Sequence, residues 1–186
     1  MPIAICLSRV WVWFNDETLW GDVIKKYPST AKAHADLGTF YYIRNRFKEA
    51  KEEYHKSVVA DPRYAMGHNN LAAMHERDGE HEAALEHYTK AVALDERSEF
   101  FHLNFAKFLT NTGNVEKANE HYLVALQIRP DYAPALNNLV INFLNLGRTN
   151  EAKNLFMRLS TIAGYEKQAQ SALQAVHEKE TSSSKK

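Results

Sequence analysis

From Ala31 onward the chain repeats itself every 34 residues without a gap. The rows Ala31–Tyr64, Ala65–Ser98, Glu99–Tyr132 and Ala133–Glu166 align column by column. One column reads Leu37, Leu71, Phe105, Leu139, and the next reads Gly38, Ala72, Ala106, Val140. Further along come Asn45, Gly79, Gly113, Gly147, then Ala50, Ala84, Ala118, Ala152, then Tyr54, Tyr88, Tyr122, Phe156, and last Pro62, Glu96, Pro130, Gly164. A fixed internal period of this size means a supersecondary unit that cannot bury its apolar face alone and stacks on copies of itself. It excludes most other folds before any single residue is considered.

Each row holds two helical stripes. In the second row His68, Leu71, Ala72 and His75 fall at i, i+3, i+4 and i+7, and Ala84, Leu85, Tyr88, Ala91 and Val92 repeat the pattern. That is the spacing of an amphipathic helix of about three turns. Gly79 between the stripes predicts a helix end and a turn. The small residues at Gly38, Ala72 and Ala106 and the four alanines predict close approach of two helix backbones, with the aromatic column filling the space beside them. Pro62 and Pro130 predict the end of the second helix. With 5 Pro and 7 Gly in 186 residues, breaks are few and the chain reads as all-α.

These columns resemble the tetratricopeptide repeat, whose pattern has Leu-Gly and an aromatic in the first helix, a turn glycine, and Ala, an aromatic, Ala and Pro in the second. The resemblance covers Ala31 to Glu166. It departs at Val140, at Ser57 and Leu159 where alanine is usual, and at Glu96 and Gly164 in place of proline. It implies an all-α, right-handed superhelical solenoid of helix-turn-helix repeats over residues 31–166. Before them, residues 15–30 read as a half repeat, because Trp20 falls in the Tyr54 column and Pro28 in the Pro62 column. After them, Ala169, Ala172, Leu173 and Val176 make one stripe, which predicts a capping helix over residues 167–179. Residues 180–186, ETSSSKK, predict a disordered tail.

Charge and residue types narrow the function. Lys and Arg total 23, and so do Asp and Glu, which argues against nucleic acid as a partner, since phosphate binding needs a basic surface. A single cysteine, Cys6, leaves no intrachain disulfide. Nine histidines raise a metal reading, particularly in HERDGEHE, His75 to Glu82. His68 and His75 share a face but lie about 10.5 Å apart along a helix, and zinc needs its nitrogen ligands within about 2.1 Å of one ion. His34, His68 and His102 share one repeat column and His87 and His121 another, so their places have an architectural explanation. No zinc-protease motif, nucleotide loop or nucleophile elbow is present. The expectation is no catalytic residue, no metal and no cofactor.

The candidate binding residues are asparagines. GHNNLA at Gly67–Ala72 and ALNNLV at Ala135–Val140 lie 68 residues apart, and HLNFA at His102–Ala106 falls between them. Asparagine is a poor helix-interior residue, so its recurrence calls for a reason. Asn70 sits one residue before Leu71, about 100° around the helix. Its column is Asp36, Asn70, Asn104 and Asn138, with Asn69 and Asn137 as neighbours. The family resemblance implies that first helices line a concave groove into which this column points. A similar asparagine ladder holds peptide backbone in the repeats of the O-linked N-acetylglucosamine transferases. Two readings stay open: the ladder grips a peptide, or it ties helices together and faces water. The family's carboxylate clamp for chaperone tails needs cations, and the matching places hold Ala35, Thr39, Asn70, Phe100 and Asn104, so that use is rejected.

The first fourteen residues, MPIAICLSRVWVWF, are apolar on every side of any helix they form, and are too short to span a bilayer, which takes about 20. Arg9, Trp13, Leu19 and Trp20 resemble the junction that joins the last membrane helix to the repeats in membrane glycosyltransferases of the O-mannosyltransferase type. Residues 1–14 read either as the end of a membrane helix, in contact with the membrane, or as the missing first helix of the half repeat. The function expected is a non-catalytic scaffold that binds a protein or peptide segment. The alternative is the C-terminal soluble tail of a membrane glycosyltransferase that positions its polypeptide substrate. Cytoplasmic and membrane-associated placements both fit.

Overall fold

The computed structural model describes residues 16–27, 30–165, 170 and 174. The apolar segment 1–14, Pro28, the tail 180–186 and the expected capping helix lie outside them, except that Gln170 and Gln174 are helical. Among the described residues there are helices and no strand: α1 Asp16–Lys26, α2 Ala31–Ile43, α3 Phe47–Ala60, α4 Ala65–Arg77, α5 His81–Leu94, α6 Glu99–Asn111, α7 Val115–Ile128, α8 Ala133–Asn145 and α9 Thr149–Ser160. Each row from Ala31 opens with a helix of 13 residues and continues with one of 12 to 14. The chain divides into two compact units at Asp95 and Glu96. In the first, α2 pairs with α3 and α4 with α5, α1 packs on α2, α3 on α4, and α2 on α4. In the second, α6 pairs with α7 and α8 with α9, α7 packs on α8, and α6 on α8.

The turn inside every hairpin is built one way. Asn45, Gly79, Gly113 and Gly147 all have positive φ, at 60°, 77°, 84° and 73°. At the second turn Gly79 N–H donates to Glu76 O at 3.1 Å and Glu80 N–H to His75 O at 2.9 Å. Those two bonds close a Schellman motif and satisfy carbonyls that the helix end leaves bare. The same pair recurs from Asn45 and Arg46, from Gly113 and Asn114, and from Gly147 and Arg148. The period therefore extends down to individual backbone bonds.

Between the two helices of each hairpin the small column is fully enclosed. Ala50, Ala84, Ala118 and Ala152 are all 0% exposed. A β-carbon added at Gly38 would come within 2.7 Å of the Tyr54 ring and 3.2 Å of Ala50 O, so in that hairpin the backbones meet where only hydrogen fits. The rings of Tyr54, Tyr88 and Tyr122 are buried, and polar side chains lie beside their hydroxyls. Tyr54 Oη lies 3.3 Å from Thr39 Oγ1, Tyr88 donates to Glu76 Oε2 at 2.9 Å, and Thr110 and Asn138 lie near the Tyr122 hydroxyl. Burial disfavours the phenolate and pushes the pKa of all three hydroxyls above the ordinary phenol range. Ser57, where alanine is usual, is buried, and its hydroxyl donates to Ala31 O at 2.7 Å. Leu159 fills the same place in the fourth row and is also buried. α5 stops at Leu94 as α3 stops at Ala60, although Glu96 stands where Pro62 would be; proline is not what ends this helix.

Candidate functional site

The Leu37, Leu71, Phe105 and Leu139 column is buried, which orients each first helix. The preceding residue then turns partway out of the core, and Asp36, Asn70, Asn104 and Asn138 are all half-buried. α2 packs on α4 and α6 on α8, so each unit carries two of these side chains on directly packed first helices. Their surroundings differ. Asp36 pairs with Lys32 at 3.3 Å, one helical turn back. The Asn69 amide donates to Asn70 Oδ1 at 3.1 Å, while Asn69 itself is only 3% exposed. Asn69 therefore holds Asn70 and offers little surface of its own. Asn137 is half-buried. Asn138 lies near the hydroxyl of Tyr122.

A second constellation escaped the sequence reading, which treated the histidine columns separately. Across each hairpin, residues 19 apart meet. His34 Nδ1 lies 2.7 Å from Glu53 Oε2, His68 Nδ1 lies 2.8 Å from His87 Nδ1, and His102 Nδ1 lies 2.9 Å from His121 Nδ1. In the last row the same places hold Leu136 and Leu155, both buried. His75 stacks on His87 with ring centroids 5.4 Å apart and planes 8° apart, and its Nδ1 pairs with Glu80. His87 thus enters between two histidines that are remote along their own helix. The constant spacing of 19 was the available signal. Among the described residues, no group of three or more His, Cys, Asp or Glu converges as a metal ion requires.

A third polar group lies within the second unit. Asn142 donates to Asn119 Oδ1 at 2.8 Å and to Thr110 Oγ1 at 3.3 Å. Asn119 and Asn142 are both buried, and Asn119 Nδ2 makes no hydrogen bond. Asn142 stands in a column otherwise filled by Phe40, Met74 and Phe108. No helix among the described residues is long and apolar enough to cross a membrane. The junction residues Arg9 and Trp13 lie outside the described residues, and Trp20 is half-buried on α1.

Comparison with known proteins agrees with this architecture. A family model for the tetratricopeptide repeat matches residues 41–99. No curated protein matches the sequence. Among solved structures, YrrB, described as a TPR protein with an unusual peptide-binding site, superposes with a TM-score of 0.71 at 20% identity, over 92% of this chain and 88% of that one. TTC0263, a thermophilic TPR protein of Thermus thermophilus, gives 0.71 at 22% identity, over 92% and 96%. MamA gives 0.60 at 22% identity, over 90% and 88%. At these identities the likeness establishes the fold: an all-α tetratricopeptide solenoid.

Proposed function

We propose that this chain, with tetratricopeptide repeats at residues 41–99 and the tetratricopeptide fold, is a non-catalytic scaffold whose first helices hold an extended peptide. The observation that carries the reading is the recurrence on α2, α4, α6 and α8 of a half-buried Asp or Asn beside a buried apolar anchor. An amide side chain offers a donor and an acceptor, as a peptide unit does, and so suits backbone without reading side chains. Packed helices lie about 8–10 Å apart and an extended chain advances about 3.3–3.6 Å per residue. Successive amides in one unit then meet about every third peptide residue. The description of YrrB as a TPR protein with an unusual peptide-binding site supports peptide binding on this fold. The proposed repeats comprise residues 31–64, 65–98, 99–132 and 133–166, with a half repeat over 15–30 and a cap over 167–179.

The test uses peptides selected from a random library by the full chain. Asn70→Ala with Asn104→Ala should weaken their binding about tenfold or more, since two hydrogen-bonding side chains are lost. Asn70→Ala takes the acceptor from the buried Asn69 amide, so the two substitutions should cost about 1 kcal/mol, or about 2–4 °C in melting temperature, less than a core substitution. Adding Asn138→Ala should weaken binding further, by the loss of a third hydrogen-bonding side chain. Unchanged affinity in the triple variant would overturn the reading. So would a loss of stability from the first two substitutions as large as that of a core substitution.

A further inference from the structure

The hairpin partners at i and i+19 run His–Glu, His–His, His–His and Leu–Leu down the rows. The second and third pairs have a defined proton arrangement. His68 Nε2 lies 3.0 Å from Pro62 O, and His102 Nε2 lies 3.2 Å from Glu96 O. A carbonyl only accepts, so each Nε2 carries hydrogen. In the neutral ring Nδ1 is then bare and accepts, and the facing Nδ1 of His87 or His121 must donate. A proton added to His68 or His102 would set two N–H groups head to head at 2.8–2.9 Å. Each pair can therefore take at most one extra proton without losing its bond, whereas the unfolded chain takes two.

The surroundings oppose even the first. His68 and His102 are buried. Burial, then His68, His75 and Lys90, push His87 down to about 4 against the pull of Glu86. Burial, and to a lesser degree Lys90, lower His68 against Pro62 O and Glu86. Burial, then His102, lower His121 against Glu120. On the sides packed against α4, Lys51 of α3 is bound to Asp78 at 2.7 Å and Glu80 at 2.8 Å. Lys32 and Asp36 of α2 pair with each other. α8, packed on α6 and α7, carries no ionisable side chain, and the Phe105 ring lies 4.6 Å from His121.

We infer that the His68–His87 and His102–His121 pairs form an acid-sensitive device, holding the α4–α5 and α6–α7 hairpins closed at neutral pH and loosening them in mild acid. An unfolded histidine titrates near 6.5. The folded values of His68, His87 and His121 lie below it, so this stability is full above about pH 6.5 and drains away as pH falls toward about 4, the value of His87. The α8–α9 hairpin, with Leu136 and Leu155 at the same places, lacks the device. In α2–α3 a charged His34 would face the carboxylate of Glu53.

Amide hydrogen exchange of the full chain at about pH 7 and about pH 5, corrected for intrinsic rates, tests this. Protection in α4 to α7 should fall about tenfold or more relative to α8 and α9. His68→Leu with His87→Leu, which copies the last row, should abolish the fall in α4–α5. His102→Leu with His121→Leu should do so in α6–α7. Equal relative protection at both pH values would overturn the inference, as would a fall that the leucine pairs leave undiminished. If a leucine pair fails to fold, NMR titration of the unmodified protein decides. His68, His87 and His121 should titrate below 6.5 in step with the loss of protection; rings that titrate near 6.5 with no change in α4 to α7 overturn it.

Discussion

At the residue scale the turn column shows how one backbone geometry selects its amino acids. Four residues sit at φ between 60° and 84°, three of them glycine and one Asn45. Left-handed backbone costs an ordinary L-residue about 1–2 kcal/mol, and asparagine tolerates it better than most. A β-carbon at Gly113 would touch nothing within 4 Å, so any penalty there is conformational. Gly113→Ala should lower unfolding free energy by about 1–2 kcal/mol in urea titration. Asn45→Gly should raise it by about 0.5 kcal/mol. A Gly113→Ala protein as stable as its parent would mean the turn had changed type.

At the scale of the helix the alanine column sets how closely a hairpin closes. Ala84 and Ala118 have no exposed surface and stand where α4 meets α5 and α6 meets α7. Leucine in either place must push the helices apart or leave its preferred rotamer. Ala84→Leu or Ala118→Leu should destabilise by about 1–3 kcal/mol, measured by thermal or chemical denaturation. The buried tyrosine hydroxyls work at the same scale, because Thr39 and Glu76 on first helices bond the hydroxyls of Tyr54 and Tyr88 on second helices. A helix pair so joined is located by a polar contact as well as by shape.

At the scale of the whole molecule, the described helices within each unit pack on the next helix or the next but one. Stability in such an array is close to a sum over hairpins and their nearest neighbours. Damage should stay near its origin. In Ala84→Leu, exchange should accelerate first in α4 and α5, then in α2 and α3, which pack on α4. Uniform acceleration along the chain would show a single cooperative block instead.

The helices and the inward columns were legible in the sequence because a 34-residue period forces equivalent residues into equivalent places, and a hairpin with one small column and one aromatic column closes in one way. Leu71, Ala84, Tyr88 and Gly79 needed only that logic. The candidate site was legible to the level of a helix face: the step of about 100° from Leu71 to Asn70 marks the face. It could not show that Asn69 is buried holding Asn70, or that Asn138 reaches Tyr122. The histidines mark the same boundary. Columns assign each ring to a helix, but only the crossing of two helices brings His68 Nδ1 to 2.8 Å from His87 Nδ1. Periodicity acts along one helix; a hydrogen bond between helices depends on their separation and rotation, and tertiary packing alone sets those.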